Sequence, residues 1–75
     1  MADHKLDTRG LNCPVPIMHL KRKMESLSRG QTLRVVASDP SCVMEFETYA
    51  RNTGDTLLES SKSSEGDFVF VLKKR

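Results

Sequence analysis

The three prolines of this 75-residue chain restrict where its helices can begin. A proline ring suits the first turn of a helix, whose leading N–H groups have no intrahelical acceptor, and is costly further in. Pro14 and Pro16 predict a helix opening at Pro14 with Cys13 at its N-cap, and Pro40 predicts a second opening behind Asp39. Each start follows a short extended stretch. The chain therefore reads as strand–helix units.

Hydrophobic spacing fills in these units. Ile17, Leu20, Met24 and Leu27 recur on one helical face from Pro14 to about Leu27, with Lys21, Arg22, Lys23 and Glu25 elsewhere on the surface. Ser28-Arg29-Gly30 is expected to end this helix. Behind Asp39 as N-cap, the second helix should run to about Asn52, bury Val43, Phe46 and Ala50, place Tyr49 on its margin, and stop at Gly54. Strands are expected at residues 4–8, at about Gln31–Ser38, where a β-branched run suits a buried strand, at about Thr56–Ser61 and at about Asp67–Lys73. Phe68-Val69-Phe70-Val71-Leu72 is apolar throughout, as in a strand shielded on both faces or lying along a partner. Lys62 to Gly66 has hairpin composition. The order is β-α-β-α-β-β. Right-handed crossovers then place both helices on one face of a four-stranded mixed sheet, an α/β (α+β) two-layer sandwich, with residues 1–75 as a single domain.

Composition limits the function classes. Hydrophobic residues are 37% of the chain and charged residues 29%, enough for a modest core and one small site. A net charge of +2 is too weak to imply nucleic acid, and a strong basic footprint would need a pI above about 9. Two cysteines behind a polar N-terminal stretch without an apolar h-region point to a reducing, cytoplasmic setting rather than a disulfide scaffold. No apolar run approaches the roughly 20 residues of a membrane span. The acidic, Cys and His residues show no metal-ligand spacing, and no glycine-rich phosphate loop is present.

Cys13 stands where Ser, Thr, Asp or Asn is the usual cap. Pro14 and Pro16 have no N–H, so the donors left for its sulfur are those of Val15 and Ile17, and the positive end of the helix dipole adds to them. Both favour a thiolate. His19 lies about 9 Å along the helix axis and His4 at the far end of the first strand, so neither suits the base of a Cys–His dyad. A lone activated thiolate fits a carrier that takes up a thiol adduct and hands it on by exchange.

Cys42, at the third helical position near the same sheet edge, is read chiefly as a packing residue and secondarily as a second thiol. A Cys13–Cys42 bridge would need Cα atoms within about 7 Å. Arg9 sits close enough to the motif to help hold an anionic adduct of Cys13, and Lys21, Arg22 and Lys23 offer a docking surface for an acidic partner. Met18 is expected to rim the site, with Met24 and Met44 as ordinary packing residues.

Leu6-Asp7 through Cys13-Pro14-Val15-Pro16, a basic amphipathic helix, Gly30, a Val-rich strand and Asp39-Pro40 resemble the TusA-like proteins, also called the SirA family, over nearly the whole chain. The resemblance implies a two-layer sandwich like the C-terminal domain of translation initiation factor three. It implies a small sulfur carrier whose motif cysteine, Cys13 here, accepts persulfide sulfur from a cysteine desulfurase or rhodanese. The sulfur would pass to an acceptor protein of the DsrE/TusD type for tRNA thiolation, molybdenum cofactor assembly or sulfur oxidation. Pro14 and Pro16 would shape the turn, and no cofactor is implied beyond the covalent persulfide. Neither a membrane nor direct contact with nucleic acid is expected. Two other readings stay open: a thiol redox protein or sensor using Cys13 with Cys42 or glutathione, and an RNA-binding or regulatory module using the basic helix.

Overall fold

A computed structural model describes residues 2–12 and 15–75. Its elements are β1 (His4–Thr8), α1 (Val15–Glu25), β2 (Thr32–Ala37), α2 (Cys42–Thr53), β3 (Thr56–Lys62) and β4 (Phe68–Lys73). The strands form one sheet in the order β1-β2-β4-β3. β1 runs parallel to β2, and β4 lies antiparallel to both β2 and β3. This is the mixed four-stranded sheet with two helices that the sequence predicts.

The core lies between the helices and one face of the sheet. Leu20 and Met24 of α1 and Phe46 and Ala50 of α2 meet Leu33, Val35, Phe70 and Leu72. Leu33 pairs with Leu72 and Val35 with Phe70, so β2 and β4 present their large side chains to the helices in register. The Phe46 and Phe70 rings sit 4.5 Å apart, tilted by 56°. Full burial of a side chain of this size stabilises the fold by about 1.5–3 kcal/mol. β4 is an inner strand of the sheet, but the helices cover one face alone. Phe70 and Leu72 are fully buried beneath them, whereas Val71 on the other face is half-buried, so the run is not shielded on both faces.

Local chemistry moves several boundaries. α1 ends at Glu25, short of Leu27. Ser26 and Leu27 donate their N–H groups to the carbonyls of Lys23 and Met24, tightening the last turn, while Leu27 remains buried. Gly30, expected to close the helix, instead takes φ 81° in the Ser28–Gln31 turn that leads into β2. α2 begins at Cys42 rather than at Pro40. Asp39 accepts both the N–H and the hydroxyl of Ser41, and its carbonyl takes the Cys42 N–H at 3.1 Å, so a tighter turn precedes the helix. Gly54 stops α2 in the left-handed conformation, as expected.

Two burial expectations are corrected. β2 is not buried throughout: Leu33, Val35 and Ala37 point to the core, and Arg34 is exposed. Met44 is 75% exposed instead of packed. The buried stripe of α2 is Cys42, Phe46 and Ala50, at intervals of four, and Met44 falls on the opposite side. Among the described residues, no helix is long and apolar enough to cross a membrane.

Candidate functional site

Cys13 and Pro14, with the N-cap assignment made for them, lie outside the described residues. The frame around them is well defined. Thr8 and Ala37 are paired in the parallel β1–β2 ladder, so the loops that follow both strands leave the same edge of the sheet. Ligands of open α/β layers collect at this edge. Thr8 is buried and donates its hydroxyl to the Val36 carbonyl at 2.9 Å, fixing the end of β1. Leu11 donates its N–H back to the Thr8 carbonyl at 3.2 Å, and Gly10, at φ 83°, makes the sharp turn this requires. The Gly10 N–H donates to Ser38 Oγ, joining the motif loop to the loop after β2.

On the downstream side, the Val15 N–H donates to the Asn12 carbonyl at 3.0 Å. The N–H expected to serve the Cys13 sulfur is thus engaged by a backbone carbonyl, and the sulfur itself lies outside the described residues. Pro16 is fully buried, so the second proline of the motif anchors the first turn of α1 against the core. Ile17 is half-buried and, with Met44 and Tyr49, borders a groove of about 440 Å³ between the helices. Val15 and Met18 are exposed on α1. The first turn of α1 has no acidic side chain to offset the positive end of its dipole.

Arg9 is already engaged. Its Nε donates to Asp7 Oδ1 at 3.0 Å and its Nη2 to Asp7 Oδ2 at 2.8 Å, while Nη1 lies 3.8 Å from Asp67. The guanidinium expected to serve an anion at Cys13 is thus forked onto a carboxylate. The Arg9 side chain and backbone N–H hold the Asp7 carboxyl at about 2, and Asp7 in turn raises the Arg9 guanidinium above its ordinary value.

Cys42 is fully buried in the core cluster beneath the start of α2, the packing role favoured for it by the sequence. Lys21 and Arg22 are exposed and Lys23 is half-buried. His19 is exposed on α1, and His4 opens β1 at the end away from the motif loop. Among the described residues, no group of three or more His, Cys, Asp or Glu could hold a metal ion. Asp7, Ser38 and Asp67 are the site-framing residues that sequence reasoning passed over. Asp7, two residues before Arg9 at a strand end, carried a detectable turn signal. Ser38 and Asp67 come near the loop only through the sheet register.

A four-stranded mixed sheet with both helices on one face defines a small α+β two-layer class, and in this chain the segment joining β1 to α1 carries Cys13. The crystal structure of the SirA-like protein from Desulfitobacterium hafniense has this fold, with a TM-score of 0.83 over 93% of this chain and 95% of that one, at 18% identity. The family model described as "Sulfurtransferase TusA" matches residues 4–74. The "Sulfur carrier protein TusA" of Allochromatium vinosum is 46% identical over 72 residues, which are 96% of this chain and 93% of that protein. A relative from Neisseria meningitidis serogroup A is 35% identical over 75 residues, the full length of both chains. The chain belongs to the TusA family.

Proposed function

We propose that this protein is a sulfur carrier in which Cys13 is the carrying thiol. The Cys13 thiolate attacks the terminal sulfur of a donor persulfide, forming Cys13–S–SH and releasing the donor thiolate. An acceptor thiolate then takes the same sulfur and returns Cys13 to its starting state. No net oxidation occurs, since the sulfur moves as a neutral atom between thiolates. The single observation that carries this reading is the 46% identity to a sulfur carrier protein across 96% of the chain.

The donor is read as a cysteine desulfurase or rhodanese and the acceptor as a DsrE/TusD-like protein, with the relay located in the cytoplasm. Val15, Pro16 and Ile17 support the loop from the helix side, and Pro14 completes the motif. Lys21, Arg22 and Lys23 form the cationic surface that steers an acidic partner onto α1. The forked Arg9 holds the loop through Asp7, and it meets an anion at Cys13 only by leaving that carboxylate. The complete burial of Cys42 favours the carrier over a two-cysteine switch, which needs both sulfurs to meet.

Intact-protein mass spectrometry after incubation with polysulfide, or with a desulfurase and cysteine, tests the reading. Wild type and Cys42→Ala should gain one reductant-labile sulfur, and Cys13→Ser should gain none. Absence of loading with every donor would overturn it. A loss of two hydrogens requiring both cysteines would establish the redox switch instead.

A further inference from the structure

Both helices pack on the same face of the sheet, and the opposite face bears a shallow depression of about 490 Å³ bordered by Lys5, Arg34, Val71, Leu58 and Glu59. The register shift between Leu57 and Glu59 is a β-bulge in β3. It brings Leu58, 54% exposed, onto the border of this depression beside Glu59. Lys5, Arg34 and Val71 form one row across the sheet, and Asp7, Val36 and Val69 form the next row on the same face. Charge is therefore distributed along the strands. Lys5, Arg34 and Lys73 lie toward one end, and Asp7 and Asp67, with Arg9 between them, lie toward the other. Among the described residues, no ion pair within the chain engages Lys5, Arg34 or Lys73.

The geometry points to a second copy of this chain as the occupant of the open sheet face, in a symmetric and transient dimer. A twofold axis lying between two stacked sheets and running across the strands lays each strand antiparallel over its own copy. With the axis between the two rows, Lys5 falls over the partner's Asp7, Val71 over the partner's Val69, and Lys73 over the partner's Asp67. The outer pairs are then opposite in charge and Val71 meets an apolar side chain, the self-complementarity that a twofold interface requires, while Arg34 falls over the partner's Val36 and Glu59 over the partner's Ser61. Aligned sheets pack in this way at about 10 Å separation. Four strands of about five residues cover roughly 300 Å², well below the about 800 Å² per partner of a stable interface. Dimerisation should accordingly be weak and dependent on concentration. The motif loops, at the carboxyl edge of β1, fall at opposite ends of such a dimer, and both helical layers stay open to other proteins. The inference goes beyond the carrier reading and does not depend on it.

Sedimentation velocity of the reduced protein, from micromolar concentrations to about 1 mM, tests the dimer. Wild type should shift from monomer toward dimer as concentration rises, equally in Cys13→Ser. Lys5→Glu places like charges opposite each other, as does Asp7→Lys, and each alone should lose the shift. Mixed in equal amounts the two should regain it, because each charge again meets its opposite. Circular dichroism confirms that both variants are folded, and Val71→Arg supplies an independent disruption. A monomer at every concentration would overturn the proposal, as would a dimer abolished by reductant. A dimer indifferent to Lys5→Glu and Val71→Arg but lost in Met44→Glu would place association on the helical face and overturn it as well.

Discussion

The backbone N–H of Gly10 donates to the hydroxyl oxygen of Ser38 across 2.9 Å, and this bond fastens the cysteine-bearing loop to the loop that precedes α2. Ser38→Ala removes the acceptor at an exposed position, where a hydrogen bond contributes about 0.5–1.5 kcal/mol. Hydrogen exchange should show the Gly10 amide accelerating more than the amides of β2. Equal acceleration throughout would mean that the bond acts on the whole fold and not on the loop.

Gly10 and Gly54 both have φ near 84°, at 83° and 84° respectively, but their surroundings differ. A Cβ at Gly10 would meet nothing within 4 Å, so Gly10→Ala should cost only the left-handed backbone penalty, about 1–2 kcal/mol. A Cβ at Gly54 would come to 3.0 Å from the Arg75 side chain, which must give by a few tenths of an ångström. Gly54→Ala should therefore lower the urea midpoint further than Gly10→Ala. The reverse order would contradict the packing of Arg75 on the α2 terminus.

The Asp7 carboxyl, held at about 2 against an ordinary 3.8, stabilises the fold only while it is ionised. Its contribution is complete above the unfolded value and disappears as pH falls through the folded one, between about pH 4 and pH 2. Carboxyl NMR titration should place its midpoint near 2 in wild type. In Arg9→Gln the midpoint should rise only part of the way, because the backbone N–H of residue 9 still donates to Asp7. Asp7→Asn should be less stable than wild type at neutral pH, with the difference shrinking below about pH 4 and lost only below the folded value. A wild-type midpoint close to 4 would mean the fork is absent in solution.

Cys42 is fully buried beside Phe46 and Ala50 on the inner stripe of α2. Cys42→Ser brings a hydroxyl into this apolar setting and should cost about 1–3 kcal/mol. Cys42→Ala only removes the sulfur and should cost less. Thermal denaturation distinguishes them, and the alanine variant should load sulfur on Cys13 as wild type does. A loss of loading in a folded Cys42→Ala protein would give Cys42 a part in the chemistry.

Element order, both crossovers and the central apolar strand were legible because they rest on period and punctuation. Gly54, Leu20, Met24 and Phe46 behave as their spacing demands. The helix boundaries were less legible, since Pro40 permits a helix start but does not require one, and the side chain of Asp39 closed a tighter turn first. Arg9 shows the limit at the site. Its charge and its nearness to the motif are written in the chain, whereas its commitment to Asp7 and its approach to Asp67 depend on where β1 ends and β4 begins. Met44 shows the same limit, because the buried face of α2 is set by the exact turn at which the helix begins.

The position of β4 also governs the order in which the molecule can come into being. β2 and β3 are each hydrogen-bonded to β4 and not to one another, so neither acquires that neighbour until Phe68 to Lys73 has been synthesised. A nascent chain halted before this segment holds two helices and three strands, but lacks Phe70 and Leu72 between them. Closure of the core consequently waits for this segment, and a ribosome-bound intermediate that lacks it would expose the apolar sides of both helices.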